Sequence, residues 1–294
     1  MNATRTLLRS ALFVPAANAR ALAKSAGLAP DAIIFDLEDS AAPGEKAAAR
    51  EALRAHLSRP RSRALHVVRI NPLASADGTE DMLMARGARV DAILLPKVES
   101  AAQLVELSDA LAETDAPAHL RIWAMLETPK GILNAGRIVE APLRYRLAAL
   151  VAGPNDIVAQ ARLRLSPGRP ELLPWLAQIV LAGKAADIVV LDGVYNDFRD
   201  TAGFEAECSA GRNMGFDGKT LIHPGQIDGA NRHFGPSQAE IDDAREIVAA
   251  FDDPAHAGRG VIKLGGRMVE RLHLNAATAL LAGLGEGQDR KEPQ

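Results

Sequence analysis

The chain of 294 residues has a single cysteine, Cys208. A disulfide framework is excluded, and a cysteine-based zinc site needs more than one thiolate. There is no long basic run, and the net charge is −3, so the electrostatic footprint of a nucleic-acid binder is missing. No stretch approaches the ~20 apolar residues that a membrane span needs. Residues 1–10 offer no apolar segment of signal-peptide length before charge and Pro15 interrupt it. These absences point to a cytoplasmic protein whose partners are small molecules. A nucleotide loop is missing too. Gly218-Lys219-Thr220 resembles the end of a Walker A loop, but the glycine needed five residues earlier is Asn213, and the strand follows the motif instead of preceding it.

With 48% hydrophobic and 24% charged residues, the chain can bury a large core. Short apolar runs alternate with Ala-, Leu- and Glu-rich helical stretches at about thirty-residue spacing, the length of a β/α unit. The expected strands are Leu8–Val14, Ala32–Leu37, Leu65–Ile70, Ala92–Leu95, Leu120–Leu126, Leu147–Val151, Asp187–Leu191 and Lys219–Ile222. Several are almost unbroken hydrophobic runs, as in strands buried on both faces of a parallel sheet. The expected helices are Asn18–Gly27, Glu45–His56, Thr79–Gly87, Ala101–Glu113, Gly131–Glu140, Glu171–Ala186, Glu205–Met214 and Pro236–Phe251, the last with a capping box from Ser237 and Glu240. Eight such units in about 250 residues predict an α/β fold, a (β/α)8 TIM barrel. A doubly wound sheet is the alternative, but it would want a Gly-rich first turn where this chain has Pro15-Ala-Ala-Asn18. Residues 1–253 are assigned to the barrel. Residues 254–284, Gly-rich at first and then helical over Leu272–Leu284, form a C-terminal lid or oligomerisation extension. Residues 285–294 are expected to be a disordered tail.

In such a barrel the chemistry sits at the C-terminal ends of the strands. Residues 32–39, Ala-Ile-Ile-Phe-Asp-Leu-Glu-Asp, set the phase. The other end residues are Arg69 and Asn71, Lys97, Glu127, Asp156, Asp192 and His223. Glu127 and Asp156 follow consecutive strands. Two carboxylates held close repel unless one is protonated or a cation lies between them. A hard divalent ion suits them, and so does a salt bridge to a nearby Arg or Lys. Arg69 can bind a carboxylate bidentately, stabilise a developing enolate, or pair with the second strand's acids. Lys97 can bind an anion or pair with Glu38 or Glu99. Extended geometry would send Asp36 and Glu38 to one face and Asp39 to the other. His223 is a candidate base or a hydrogen-bonded structural residue, and Cys208 is read as packing.

Several segments resemble one family. They are Leu12-Phe13-Val14-Pro15, Phe35-Asp36-Leu37-Glu38-Asp39-Ser40, Arg69-Ile70-Asn71, Leu95-Pro96-Lys97-Val98-Glu99, Glu127-Thr128, Gly153-Pro-Asn-Asp156 and the long block Gly215–Gln226. In this order, over residues 8–275, they resemble the citrate lyase β-subunit-like (CitE-like) proteins of the HpcH/HpaI aldolase and citrate lyase superfamily. The resemblance implies a barrel, usually a homotrimer, with Mg²⁺ (or Mn²⁺) held by Glu127 and Asp156. It implies that Arg69 contacts a 2-oxo acid and stabilises the enolate. The remaining strand-end groups, Asp36, Glu38, Asp39 and Lys97, then form a supporting shell. The implied reaction is cleavage or formation of a C–C bond in a 3-hydroxyacyl-CoA such as citryl-, malyl- or citramalyl-CoA. Arg20 and Lys24 in the first helix are candidates for the CoA phosphates. CoA-dependent relatives carry a catalytic Asp in a segment resembling Gly-Lys-Met-Ile-Asp, where this chain reads Gly266-Arg267-Met268-Val269-Glu270. The extra methylene moves the acid by ~1.5 Å. Glu270 therefore motivates an alternative, a CoA-independent metal-dependent aldolase acting on a free hydroxy acid. A β subunit of a multi-subunit citrate lyase is the other alternative.

Overall fold

The computed structural model describes residues 7–284. Eight strands close into a parallel barrel in sequence order, with the eighth back on the first. They are β1 (Ser10–Pro15), β2 (Ala32–Asp36), β3 (Leu65–Arg69), β4 (Ala92–Leu95), β5 (Arg121–Leu126), β6 (Leu147–Ala152), β7 (Val189–Asp192) and β8 (Gly218–Leu221). Around them run α1 (Ala19–Ser25), α2 (Lys46–Leu57), α3 (Ala76–Gly87), α4 (Ala101–Glu113), α5 (Pro129–Leu133), α6 (Ala135–Val139), α7 (Pro154–Ala161), α8 (Leu173–Ala185), α9 (Thr201–Met214) and α10 (Ile227–Phe234). The expected (β/α)8 barrel is the fold.

Alternation along each strand sorts side chains into two layers. Ala11, Ile34, Val67, Leu94, Trp123, Met125, Val151 and Leu191 fill the barrel interior. Leu12, Ile33, Phe35, Val68 and Ile93 face outward and pack against helix residues such as Leu53, Leu104, Leu107 and Ile179. This parity brings Asp36 and Arg69 inward at the top of β2 and β3, where they are direct register partners.

Some element boundaries differ from the sequence expectation. The single helix over 131–140 is broken into α5 and α6 at Asn134, whose side chain leaves the helix pattern to donate to the Glu99 carbonyl at 2.9 Å. Two helices were not foreseen. α7 starts at Pro154 directly after a strand, and α10 is a short polar helix containing Gly229. α10, not Pro236–Phe251, follows β8.

The chain divides into two compact units, Leu8–Phe234 and a smaller one over 235–284 together with Leu7. The division falls between Phe234 and Gly235, ahead of the 253/254 boundary expected from composition. The smaller unit holds α11 (Gln238–Asp252), a hairpin of β9 (Val261–Leu264) and β10 (Arg267–Glu270), and α12 (Arg271–Gly283). α11 belongs here because its apolar face, Ala244, Ile247 and Val248, packs with Ile262, Val269 and Leu281. Ser237 and Glu240 form the expected capping box of α11. Gly265 and Gly266, both at positive φ (55° and 83°), make the two-residue hairpin turn that only such residues allow comfortably. The tail over 285–294, expected to be disordered, lies outside the described residues. No helix among the described residues is long and apolar enough to cross a membrane.

Candidate active site

Asp36 and Arg69 form the floor of the site. Arg69 donates from Nε to Asp36 Oδ1 and from Nη2 to Oδ2, both at 2.7 Å. The same carboxylate accepts the backbone N–H of Glu38 (3.0 Å) and of Ser40 (3.2 Å), so both partners are locked. Arg69 Nη1 lies 3.0 Å from Glu38 Oε2 and 3.3 Å from Asp39 Oδ2. The Phe13 ring sits 5.0 Å from the guanidinium carbon. Burial works against the charge, but Asp36, Glu38 and Asp39 outweigh it and hold the Arg69 pKa above the ordinary arginine value. A buried, fixed and permanently charged guanidinium results.

Asp39 was expected on the opposite face from Asp36 and Glu38. It reaches the same Arg69 because β2 ends at Asp36 and the chain turns over 37–40, so strand alternation no longer applies.

Glu38 and Glu127 are bridged by one residue, Lys97. Its Nζ donates to Glu38 Oε1 at 2.6 Å, and its backbone N–H donates to Glu127 Oε1 at 2.8 Å. Lys97 adopts left-handed backbone, φ 50°, to do both. Such a conformation costs a non-glycine residue about 1 kcal/mol and persists where surroundings impose it. Burial pushes the Glu38 pKa up, against Arg69 and Lys97.

Glu127 is fully buried, and its Oε2 has no hydrogen-bond partner. Burial first, then the charges of Glu38 and Asp156, push its pKa up to about 8. An orphaned carboxylate oxygen in this position is chemically suited to a cation. Asp156 is half-buried in the first turn of α7. Gly153, which opens that turn, lies directly over Glu127. A Cβ at position 153 would stand 2.6 Å from Glu127 Oε2 and 2.4 Å from Glu127 Cβ. Gly193, after β7, supports the turn from the other side, since a Cβ there would sit 2.0 Å from Pro154 Cδ. These two glycines let three strand ends converge. Among the described residues no three His, Cys, Asp or Glu groups gather as a metal site. A Mg²⁺ site does not require three, because one or two carboxylates plus water and substrate oxygens commonly suffice. The donor set and the orphaned Oε2 fit such an ion.

Several of the remaining barrel candidates fall elsewhere. Asp192 points outward, because Leu191 takes the inward position on β7. It is buried with Arg169 Nη2 (2.6 Å) and Lys219 Nζ (2.8 Å), and Lys219 also reaches Glu207 at 2.6 Å. The lysine of the Walker-like segment is thus a core ion-pair residue. Burial opposes ionisation of Asp192, yet Lys219 and Arg169 hold its pKa below the usual range. His223 caps a short turn by accepting the Gly225 N–H at 3.1 Å. Cys208 is buried, and burial pushes its thiol up to about 12. Arg20 and Lys24 are exposed on α1. Glu270 caps α12: its side chain accepts the His273 N–H, and its own N–H donates to His273 Nδ1 at 3.0 Å.

Sequence reasoning passed over Gly193, the chain behind Asn71, and Met125, whose sulfur lies 3.9 Å from Arg69 Nη1. Asn71 receives Lys46 Nζ and donates to Leu37 O (2.9 Å) and Asp81 Oδ2 (2.7 Å); Asp81 is in turn held by Arg50 Nε at 2.8 Å. Only the unusual burial of Asp81 inside a helix marks that chain, and burial is not written in the sequence.

Comparison with known proteins places the chain in context. Residues 9–224 match the family model described as HpcH/HpaI aldolase/citrate lyase. A (3S)-malyl-CoA thioesterase of Cereibacter sphaeroides is 43% identical over 93% of this chain and 93% of its own length. The citrate lyase subunit beta of Escherichia coli is 36% identical over 96% of both chains. Among solved structures, the protein CitE from Mycobacterium tuberculosis in complex with magnesium, acetoacetate and coenzyme A superposes with a TM-score of 0.75 at 32% identity. That match covers 94% of this chain and 98% of the other.

Proposed function

The chain belongs to the HpcH/HpaI aldolase/citrate lyase family, and from that premise we propose that it is a Mg²⁺-dependent carbon–carbon lyase. Its substrate would be a 3-hydroxyacyl-CoA of the citryl-, malyl- or citramalyl-CoA type, and its products an acyl-CoA and a 2-oxo acid. The observation that carries this reading is the buried, unpartnered Oε2 of Glu127 beside Asp156, with the charged Arg69 fixed near Glu38. The magnesium and coenzyme A bound by the related CitE protein support both the ion and the thioester.

In this proposal Glu127 and Asp156 hold the cation, and Glu127 offers the oxygen that Lys97 leaves free. Bound there, Mg²⁺ (or Mn²⁺) would polarise the hydroxyl and carboxylate at the acid end of the substrate. Arg69 supplies fixed positive charge where enolate charge develops, and it needs no reorganisation because Asp36 already orients it. Glu38, Asp39 and Lys97 keep that charge in register. Glu270 is the proposed base. It takes the proton of the 3-hydroxyl, a C=O forms at that carbon, and the adjacent C–C bond breaks. The electron pair passes to the thioester α-carbon as an enolate, and protonation there yields the acyl-CoA. Arg20 and Lys24 are offered to the CoA phosphates. A homotrimer, with the C-terminal extension as lid or oligomer arm, and a cytoplasmic location belong to the same proposal.

The 43% identical thioesterase favours a second reading. Water would attack the thioester carbonyl of the same kind of substrate, and CoA thiol would leave with a proton. The free hydroxy acid would then be the product, with no C–C bond broken.

One panel tests these readings. Malyl- and citramalyl-CoA and the corresponding free hydroxy acids are supplied with Mg²⁺ or with chelator. Oxo acid is followed with a coupled dehydrogenase and free thiol with a colorimetric reagent. The lyase releases oxo acid without thiol, the thioesterase thiol without oxo acid. Oxo acid from free acids alone, or turnover undiminished by chelator, contradicts the proposal.

A further inference from the structure

The ion cluster on the outer side of β7 has no part in the chemistry proposed above. Asp192 and Lys219 are fully buried, Arg169 is nearly so, and Glu207 completes a set of two positive and two negative groups. Both oxygens of Asp192 are fully engaged. Oδ1 accepts the Gly193 N–H at 2.8 Å and Arg169 Nη1 at 3.1 Å. Oδ2 accepts Arg169 Nη2 at 2.6 Å and Lys219 Nζ at 2.8 Å. Such a cluster is a poor device for stability alone. Taking the charges out of water costs about what their attraction returns, and apolar side chains of similar volume often serve as well. What a buried two-pronged pair adds is direction, because it closes in only one geometry.

The direction here leads to Asp156. α7 carries Asp156 in its first turn and lies between two loops, and Asp192 grips both. The loop after α7, residues 162–172, holds Arg169 in left-handed backbone (φ 49°) directly after Gly168 (φ 78°). A non-glycine residue keeps that conformation where its surroundings impose it, and the guanidinium of Arg169 is held by Asp192 on two prongs. The loop after β7 begins with Gly193, whose N–H Asp192 fixes. Gly193 fits against Pro154, the first residue of α7, so closely that a Cβ would stand 2.0 Å from Pro154 Cδ. Three residues on, Asn196 Nδ2 donates to Asn155 Oδ1 at 2.8 Å, and Asn155 Nδ2 donates back to Asn196 Oδ1 at 3.4 Å. The β7 loop thus touches residues 154 and 155, immediately before Asp156.

We propose that Asp192 is a positioning residue: with Arg169 and Lys219 it clamps both flanks of α7 and so sets the Asp156 carboxylate beside Glu127 for the cation. The proposal deepens the metal-site reading above and rests on it. Asp192 touches neither ion nor substrate and acts through Gly193, Pro154 and the loop that holds Arg169.

The test uses the intact protein and three variants. Arg169→Lys keeps the charge and loses the two-pronged grip. Asp192→Ala combined with Lys219→Met removes one charge of each sign and leaves Arg169 with Glu207, so that no unbalanced charge stays buried. Asp31→Asn is the control, since it weakens the Arg9–Asp31 pair (2.8 Å) at the opposite end of the barrel. In the first arm, hydrogen–deuterium exchange is followed without metal. Exchange over α7 is expected to be about tenfold faster in Arg169→Lys and in the double variant, with α4 unchanged in both and α7 unchanged in the control. Wild-type exchange over α7, or equal acceleration over α4, overturns the clamp. In the second arm, Mg²⁺ is titrated calorimetrically in the presence of pyruvate. Affinity is expected to fall about tenfold in Arg169→Lys and in the double variant, the scale for disturbing a group that orients a metal ligand, and to hold in Asp31→Asn. Wild-type affinity in both clamp variants, or an equal loss in the control, overturns the positioning role. Asp156→Ala reads the metal assignment by itself. If it binds Mg²⁺ as wild type does, the functional reading fails at that residue, and the exchange arm still decides whether Asp192 fixes α7.

Discussion

Lys97 donates its backbone N–H to Glu127 Oε1 at 2.8 Å while its ammonium reaches Glu38 Oε1 at 2.6 Å. One residue in left-handed conformation thus engages one oxygen of each of two buried carboxylates and leaves Glu127 Oε2 free for a cation.

Backbone and side chain of Lys97 can be separated. Lys97→Gly keeps the N–H and removes the Cβ that disfavours φ 50°. Lys97→Ala keeps the Cβ. Both lose the ammonium. Denaturant unfolding is expected to show the Gly variant more stable than the Ala variant by about 1 kcal/mol. Both are expected to lose about tenfold or more in oxo acid affinity, because a charge-assisted contact is gone. A stability order with Ala above Gly would show that the backbone is not strained.

Gly153→Ala places a methyl 2.6 Å from Glu127 Oε2 and 3.0 Å from Met125 Cε. Glu127 must move, so Mg²⁺ affinity should fall about tenfold or more, with about 1–3 kcal/mol of lost stability from overpacking. Gly136→Ala is the control, since nothing lies within 4 Å of its Cβ position. Titration calorimetry and thermal melts of the two variants check the contrast.

The barrel and the phase of its strand ends were legible because buried parallel strands are written as apolar runs, and these end in charge. Asp36, Arg69, Lys97 and Glu127 stood out for that reason. The facing of each end residue was harder to read. Asp192 has the same sequence pattern as Asp36, an acid after an apolar run, but one step of strand parity turns it out to Arg169 and Lys219. Asp39 defeats parity in the opposite way, because the strand has already ended. Gly193 and Asp81 act through close approach and burial, which depend on elements distant in sequence. The motif Gly153-Pro-Asn-Asp156 stood out through the family resemblance alone, while the helix it opens was missed for want of a polar lead-in.

Arg69→Lys is not conservative here. The lysine can reach Asp36 but cannot make the two-pronged contact of Nε and Nη2. Turnover is expected to fall about a hundredfold, the scale for losing a fixed donor at developing charge. Asp36→Asn leaves Arg69 in place but less well oriented and should cost less. Steady-state kinetics with both variants reads the order, and the reverse order would assign the main role to Asp36.

The pH dependence of stability has a component outside the site. Burial, then the charge of Arg61, lowers the His66 pKa to about 4 from 6.5. The unfolded state therefore binds the proton more readily than the folded state. The associated stability is present above about pH 6.5 and is lost as pH falls toward 4, by on the order of 2 kcal/mol. His66→Gln, which retains an amide for Ser62 (3.2 Å from His66 Nε2), should flatten that part of the profile. Urea unfolding at pH 4.5 and pH 7 measures it, and an unchanged slope would remove His66 as the cause.

The central claim is that Glu127 holds a divalent cation through the oxygen left free by Lys97. The direct measurement is calorimetric titration of Mg²⁺ into wild type and Glu127→Gln in the presence of a 2-oxo acid such as pyruvate. The predicted result is saturable binding in wild type and a loss of a hundredfold or so in the variant, which keeps the shape and removes the charge. Equal Mg²⁺ affinity in the two proteins would contradict the account.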